Sequence, residues 1–314
     1  MRIAILDLGT NTFHLLITSV SKTGAWRKVF KSKSVVKLGE GAIHRNEIAP
    51  IPFRRGIKAL EHYKKIIDVH KPEKIFAFAT SAIRSAKNGH EFVAVAKEKT
   101  GIEITVISGE KEAEFIYLGV RQCIAMDDQP ALIMDIGGGS TEFIIANKAK
   151  IFWKHSFNIG AARLLEMFKP SDPILPAEIK KLKTFLSKEL SILIDAVEKY
   201  KPDQLIGSSG SFDTFAEMIG YRFHKRNVIS DKNSYTFSLD EYLKLHEILL
   251  FSTVEQRKKM KGLVKMRVDM IVLATICTSL VLQKTGIQKM MLSKYALKEG
   301  ALSMVISGEG LTIL

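Results

Sequence analysis

Short apolar runs alternate with helical apolar spacing through the first 125 residues. The runs predict strands, and their bounds are 3–8, 13–20, 26–38, 74–79 and 103–107. Apolar residues three and four positions apart predict helices, and their bounds are 54–70, 90–100 and 110–124. The predicted order is therefore three strands followed by α-β-α-β-α.

The strand pattern then starts again. The predicted strands of the second half are 131–136, 142–146, 151–157, 204–207 and 289–292. The predicted helical segments are 177–199, one from about 212, a helix-rich region at 239–284, and a last helix from about 295.

Two segments that begin 128 residues apart resemble each other. Asp7-Leu-Gly-Thr-Asn-Thr12 corresponds to Asp135-Ile-Gly-Gly-Gly-Ser140, and a second apolar run follows each segment. We interpret this as a duplicated α/β unit, while chance similarity between two β-hairpins is the alternative. The predicted domains are residues 1–125 and 126–314, and the last helix, at about 296–308, is allowed to pack back on the first domain.

Length and composition agree with two globular domains. The 314 residues correspond to about two domains at ~150 residues each. Hydrophobic residues are 46% and charged residues 25%, which excludes a disordered, collagen-like or low-complexity chain. Two cysteines cannot form a disulfide framework, and no apolar stretch is long enough for a membrane span. We therefore expect a soluble, cytoplasmic protein without a membrane partner.

The chain is strongly basic. Lys and Arg number 47 against 33 acidic residues, so the formal net charge is +14. This balance favours a polyanionic partner, although a solubilising surface is the alternative. The positive charge is concentrated in two stretches, residues 21–38 and 257–267.

Small and hydroxyl-bearing residues follow the first strand of each predicted unit. Gly9-Thr-Asn-Thr12 and Gly137-Gly-Gly-Ser-Thr141 would let backbone N–H groups approach anionic oxygens. A single such turn is typically only a tight turn. Two at equivalent points of a duplicated unit predict a pair of phosphate-binding loops.

An acidic residue precedes each turn, Asp7 in the first unit and Asp135 in the second. A carboxylate at the end of a buried strand costs free energy unless it is paired or binds a cation. Mg²⁺ or another divalent cation suits one or two carboxylates together with phosphate oxygens. The alternative is an aspartate that caps its own turn. Zinc is not favoured, because no His/Cys cluster is present.

Several motifs in order resemble the exopolyphosphatase and guanosine pentaphosphate phosphohydrolase (Ppx/GppA) family over nearly the whole chain. They are Asp7-Leu-Gly-Thr-Asn-Thr-Phe-His, Thr80-Ser-Ala-Ile-Arg84, Ser108-Gly-Glu-Lys-Glu112-Ala, Asp135-Ile-Gly-Gly-Gly-Ser-Thr-Glu142, Gly207-Ser-Ser-Gly210-Ser, Arg267-Val-Asp269 and Ser293-Lys-Tyr-Ala-Leu-Lys-Glu-Gly300. The resemblance implies an α/β fold of two ribonuclease-H-like domains around an interdomain cleft. This is the fold of the actin, sugar kinase and heat-shock ATPase superfamily. We expect a short two-domain form, without the further C-terminal helical domains of longer members.

The resemblance also implies site residues. Glu112 would be the general base and Arg84 would hold the phosphate under attack. Asp135 would bind Mg²⁺ with the help of Glu142, and Asp7 is a further candidate ligand. The candidate phosphate-binding residues are Gly9, Thr10, Asn11, Thr12, Gly137, Gly138, Gly139, Ser140, Thr141, Ser209, Gly210 and Ser211.

The expected function is release of terminal orthophosphate from inorganic polyphosphate, guanosine pentaphosphate or both, through in-line attack of water. A non-catalytic sensor of guanosine alarmones or polyphosphate is the alternative from another class. A sugar or acetate kinase lacks a specific signal in the sequence. Nucleic acid is not favoured as a partner because only charge supports it. A homodimer is left open.

Overall fold

A computed structural model of the chain describes residues 1–308. It divides into two compact units: unit 1 contains Met1–Gly119 and the segment from Leu297, and unit 2 contains Val120–Ala296. The structural boundary thus falls six residues before the domain boundary predicted after residue 125, inside a helix. Residues 309–314 of the second predicted domain lie outside the described residues.

The strands, in chain order, are β1 (Arg2–Leu8), β2 (Thr12–Val20), β3 (Trp26–Val35), β4 (Lys74–Ala79), β5 (Ile104–Val106), β6 (Ala131–Ile136), β7 (Thr141–Ala146), β8 (Ile151–Phe157), β9 (Gln204–Ser208), β10 (Ser234–Phe237) and β11 (Lys289–Ser293). The α-helices are α1 (Pro50–His70), α2 (Ser81–Ser85), α3 (Gly89–Thr100), α4 (Gly109–Cys123), α5 (Ala161–Phe168), α6 (Pro176–Glu189), α7 (Ser191–Tyr200), α8 (Ser209–Phe223), α9 (Leu239–Leu250), α10 (Val254–Lys258), α11 (Ile271–Thr285) and α12 (Leu297–Ser307). Short 3₁₀ turns occur at Ile43–Arg45 and Lys265–Arg267.

Unit 1 contains a five-stranded sheet in the order β3-β2-β1-β4-β5. Strands β1, β4 and β5 are parallel, whereas β2 is antiparallel to both of its neighbours. Alternate side chains of β1 and β2, such as Leu6 and Leu15, pack with Leu60 of α1 and Phe92 of α3 in one core. Helix α12 packs on β1. Because β1, β4 and β5 are parallel, their carboxyl ends lie at one common edge of the sheet.

Unit 2 contains a six-stranded sheet in the order β10-β11-β9-β6-β7-β8. Strands β6, β9 and β11 are parallel, and the other three pair in antiparallel fashion. Helix α11 is buried along almost its whole length in the core of this unit. Among residues 1–308, no helix has both the length and the apolar character needed to cross a membrane.

The strand register of the first hairpin is the same in both units, as the interpretation of a duplicated unit predicts. In unit 1 the β1–β2 hairpin closes with Leu8 opposite Phe13, and in unit 2 the β6–β7 hairpin closes with Ile136 opposite Thr141. Both closing pairs are separated by four residues and lie 128 positions apart in the chain. The mixed α/β fold with two ribonuclease-H-like sheets, expected from the family resemblance, is confirmed.

The predicted helix at 177–199 is two helices, α6 and α7. The chain leaves helical geometry at the buried residue Leu190, whose N–H bonds to the carbonyl groups of both Leu186 and Lys188. Leucines continue at helical spacing across this break, so the sequence pattern does not reveal it. Helix α5 and strand β10 were also not predicted.

Helices α12 and α4 approach each other so closely at Gly300 that there is no room for a side chain. A Cβ there would lie 1.7 Å from the carbonyl oxygen of Phe115 and 2.8 Å from the amide nitrogen of Gly119, both in α4. Gly300→Ala should therefore lower the free energy of unfolding by about 1–3 kcal/mol, because α12 must move away from α4. Urea unfolding measures this change. Ser303→Ala, in the same helix, is the control, and an equal stability for both variants would contradict the prediction.

Candidate active site

Three loops of unit 1 meet at the carboxyl edge of its parallel strands. Thr80, after β4, donates its N–H to the carbonyl of Leu8 at the end of β1 (3.3 Å), and Ile107, after β5, donates to Ala79 (3.1 Å). These bonds hold the Gly9–Thr12 turn and the starts of α2 and α4 at one edge. Ligands of open α/β sheets bind at this kind of edge.

Arg84 and Glu112 form an ion pair at this edge. Nη1 of Arg84 lies 2.7 Å from Oε2 of Glu112 and also donates to the carbonyl of Ile107 (3.2 Å). The side chains are only 22% and 10% exposed. Helix α2 carries the arginine, and the first turn of α4 carries the glutamate. The structure therefore brings together the two candidate catalytic residues.

The Gly9–Thr12 turn is held from one side. The carbonyl of Thr10 accepts an N–H from Leu38 (2.6 Å), and the carbonyl of Asn11 accepts N–H groups from Val36 and Lys37. In a trans peptide the N–H points away from the C=O of the same unit. The N–H groups of Asn11 and Thr12 therefore point to the opposite side, as an anion site requires.

The Gly137–Ser140 turn of unit 2 is held in the same way by a different element. The first residues of α5 donate backbone N–H groups to the carbonyls of Gly137 and Gly138, and Nε of Arg163 donates to Gly139 (2.9 Å). A Cβ on Gly160 would come within 2.5 Å of Gly138, so only glycine allows this approach. Because each N–H points away from the carbonyl of its own peptide unit, the N–H groups of Gly138, Gly139 and Ser140 point away from α5.

Asp135 and Glu142 are directly opposite each other on β6 and β7. Both are buried, at 7% and 1% exposure, and opposite residues of an antiparallel pair share one face. Oδ2 of Asp135 accepts a hydrogen bond from Ser208 of β9 (2.6 Å), and Oε1 of Glu142 accepts one from Ser156 of β8 (2.7 Å). The two acids thus form a buried pair supported by hydroxyl donors on both sides.

This pair fits the expected divalent cation. Mg²⁺ typically uses one or two carboxylates and completes its coordination with water and phosphate oxygens. Within residues 1–308 no three His, Cys, Asp or Glu side chains converge, so a cation there would depend on the pair. Asp7, the third candidate ligand, belongs to unit 1 and lies opposite His14 rather than a carboxylate. The structure brings Asp135 and Glu142 together, and Asp7 stays a separate prediction.

Ser209, Gly210 and Ser211 form the first turn of α8, directly after β9. Ser209 adopts a left-handed conformation (φ 65°), and its hydroxyl donates to the carbonyl of Ile136 (3.0 Å). This places the start of α8 beside the end of β6, at the same edge as Asp135. A helix N-terminus there favours bound anions. Of the remaining candidate residues, Thr141 uses its hydroxyl to bond to the carbonyl of Ile159.

Arg267 packs over Gly210. A Cβ on Gly210 would lie 1.5 Å from Nη2 of Arg267, and Nη1 of this arginine donates to Thr214 (3.3 Å). Burial lowers the pKa of the Arg267 guanidinium, although Asp213 and Glu217 favour its charged form. Burial, followed by the charge of Asp213, raises the pKa of Glu217, whereas Arg267 lowers it. The start of α8 therefore packs against a half-buried cation with acidic neighbours.

Three side chains at these edges were not among the predicted site residues. Ser208 belongs to the Gly207-Ser-Ser-Gly210-Ser motif, and its position at a strand end was the only signal for it. Ser156 and Arg163 follow no motif in the sequence. Both act through partners that only the strand register and the start of α5 bring near.

Comparison with known protein families identifies the family of this chain. The model of the Ppx/GppA phosphatase family matches residues 16–307. The chain belongs to the Ppx/GppA phosphatase family. Exopolyphosphatase 1 of Mycobacterium tuberculosis is 25% identical over 310 residues, which cover 98% of this chain and 89% of that protein. A bifunctional 3-dehydroquinate synthase/phosphatase of Fusobacterium nucleatum is 32% identical over 293 residues, 90% of this chain and 43% of that protein.

Solved structures of Ppx/GppA proteins share the fold. An exopolyphosphatase from Cytophaga hutchinsonii has a TM-score of 0.95 and 37% identity, and the match covers 98% of both chains. The Aquifex aeolicus family member has a TM-score of 0.80 and 27% identity, with 99% of both chains covered. The likeness extends over both units of this chain.

The buried acid pair predicts an unusual stability response. Without a divalent cation, Asp135→Asn should raise the free energy of unfolding by up to about 1 kcal/mol, because it removes a like charge opposite Glu142. With Mg²⁺ at about 100 times its dissociation constant, the original protein should gain about 2.7 kcal/mol and the variant much less. Urea unfolding with Mg²⁺ or EDTA measures both effects. The control is Asp195→Asn, at an exposed position, and Mg²⁺ should stabilise it as much as it stabilises the wild-type protein. An equal stabilisation of Asp135→Asn by Mg²⁺ would contradict a cation site at the acid pair.

Proposed function

We propose that this protein is a phosphoanhydride hydrolase that releases terminal orthophosphate from inorganic polyphosphate, from guanosine pentaphosphate, or from both. The observation that carries the proposal is the contact between Arg84 and Glu112 beside the Gly9–Thr12 turn. Membership of a phosphatase family and the exopolyphosphatase relatives support it. A protein that only senses guanosine alarmones would have no use for a buried carboxylate beside the phosphate-binding arginine.

Glu112 acts as the general base in this proposal. A guanidinium has five N–H donors in a planar fork, so Arg84 can bond to Glu112 and to phosphoryl oxygens at once. The carboxylate would then lie next to the phosphorus under attack and accept a proton from the attacking water. Arg84 would stabilise the negative charge on the phosphoryl oxygens as the terminal group leaves.

Asp135 and Glu142 hold the divalent cation in this proposal. A divalent cation bound to this pair would neutralise negative charge on the anhydride oxygens. The outward N–H groups of the Gly137–Ser140 turn and the start of α8 bind phosphate oxygens at the same edge of unit 2. The N–H groups of Asn11 and Thr12 have the same role in unit 1.

A line of lysines on β3 supports a polyanionic substrate. Lys33 lies opposite His14, which lies opposite Asp7, so these three share one face of the unit 1 sheet. By the same register, Lys31 and Lys28 share that face, and all three lysines are exposed. Strand β3 leads directly into the segment that holds the Gly9–Thr12 turn. Lysines also protect edge strands from aggregation, so this role needs its own test.

The second basic stretch, residues 257–267, is less suited to this role. Arg257 is buried and bonds to Asp172 (3.0 Å) and to the carbonyl of Val268 (2.9 Å). Arg267 packs over Gly210. Two of the cations in this stretch therefore hold the structure of unit 2.

Glu112→Gln should lower kcat for phosphate release by about 10²- to 10⁴-fold, because the amide cannot accept a proton. Substrate binding should change little, since the amide oxygen still accepts a bond from Arg84. Phosphate release from polyphosphates of graded length and from guanosine pentaphosphate, with and without Mg²⁺, measures the effect and ranks the substrates.

Glu110→Gln is the matched control, because Glu110 is exposed on the same helical turn. The kcat of Glu110→Gln should equal that of the wild-type protein. Near-normal turnover of Glu112→Gln would remove Glu112 as the base. Tight substrate binding by the original protein without any phosphate release would favour the sensor function instead.

Lys28→Gln, Lys31→Gln and Lys33→Gln combined should raise KM for long polyphosphate and leave kcat unchanged. By analogy with nucleic acids, each lost phosphate contact should reduce the slope of log KM against log salt by about one. Assays between low and moderate salt measure that slope. The control replaces the exposed lysines 180, 181 and 188 of α6 with glutamine. Equal slopes in both triple variants would assign the β3 lysines to edge protection alone.

A further inference from the structure

We propose that Ser208 and Ser156 are positioning residues that fix the carboxylates of Asp135 and Glu142 for a divalent cation. The inference rests on the proposed function, because it takes these two acids as the cation ligands. Neither serine would touch substrate or cation. Each would act through the carboxylate that it holds.

The four residues form one row across the sheet of unit 2. Ser208 pairs with Asp135 across β9 and β6, Asp135 pairs with Glu142 across β6 and β7, and Glu142 pairs with Ser156 across β7 and β8. Residues in register on neighbouring strands share a face. The two acids therefore occupy the middle of the row, and a serine flanks each of them.

Each serine engages one oxygen of its acid. The contact from Ser208 to Oδ2 of Asp135 is 2.6 Å, and the contact from Ser156 to Oε1 of Glu142 is 2.7 Å. Charge-assisted O–H···O⁻ bonds have about these lengths and are stronger than neutral ones. A bond to one oxygen fixes the plane of the carboxylate, and hence the direction in which its other oxygen points.

The like charges of the pair make this support necessary. Opposite carboxylates on neighbouring strands repel, and burial increases the cost. The hydroxyl bonds help to hold each carboxylate against this repulsion, in the orientation that a shared cation needs. Hydrogen bonds from such outer partners typically contribute about 10- to 100-fold to metal affinity.

The equivalent row of unit 1 lacks this arrangement. Asp7 has Phe78 of β4 where Asp135 has Ser208, and it has His14 where Asp135 has Glu142. His14 in turn lies opposite Lys33. The two sheets thus differ at this row, and the carboxylate pair flanked by serines occurs in the row of unit 2.

The row also supplies a control residue. Ser293 of β11 pairs in register with Ser208 and is equally buried. Its hydroxyl donates to the carbonyl of Tyr295 (2.7 Å) instead of to a carboxylate. Ser293→Ala therefore removes a buried hydroxyl from the same row without releasing either acid.

The test is Mn²⁺ binding to the full chain, measured by electron paramagnetic resonance of the free ion. Ser208→Ala and Ser156→Ala should each raise the Mn²⁺ dissociation constant by about 10- to 100-fold. Ser293→Ala should bind Mn²⁺ as the original protein does, and Ser156→Thr, which keeps the hydroxyl, should restore most of the affinity. Ser156 is only half-buried, so its alanine variant remains informative if the Ser208 variant folds poorly.

Asp135→Asn separates this inference from the proposed function. Loss of Mn²⁺ binding in Asp135→Asn together with unchanged binding in both serine variants would overturn the positioning role and leave the cation site intact. Normal Mn²⁺ binding by Asp135→Asn would overturn the cation site itself. An equal loss of affinity in Ser293→Ala would show a general effect of buried hydroxyls and would also overturn the positioning role.

Discussion

The arrangement of unit 2 depends on two buried carboxylates that lie opposite each other on paired strands. The β6–β7 hairpin imposes this arrangement despite the repulsion, because only four residues separate Ile136 from Thr141 and the register is thereby fixed. A slip of one residue would turn Glu142 to the other face of the sheet. The short glycine turn therefore keeps both acids on one face, and it is also the turn to which we assign phosphate binding.

The two glycine turns show how one geometry can be maintained by different supports. In unit 1 the residues after β3 bind the carbonyls of Thr10 and Asn11, and in unit 2 the start of α5 binds those of Gly137 and Gly138. Both turns keep the same bond, from the N–H of their first glycine to the carbonyl three residues later. In both turns, therefore, N–H groups point away from the element that binds the carbonyls, although that element differs between the units.

Much of the fold followed from local patterns, whereas the details of the site did not. The strands at Lys74–Ala79 and Ala131–Ile136 match their predicted bounds, because each is a short apolar run between polar segments. The strand at Ile151–Phe157 also matches, although polar residues interrupt it. The roles predicted for Arg84 and Glu112 came from the family resemblance, and the structure adds the ion pair between them. The bond from Ser208 to Asp135 joins residues 73 positions apart, and only the parallel register of β6 and β9 creates it.

Unit 1 is made from both ends of the described chain, because α12 returns to pack on β1, whereas unit 2 is continuous in sequence. On the ribosome, the whole of unit 2 is synthesised before α12 emerges. The second unit can thus complete its core while the nascent first unit still lacks the helix that covers β1. Maturation of unit 1, which carries the Arg84–Glu112 ion pair, is thereby tied to the synthesis of α12, because β1 lacks this packing partner until then.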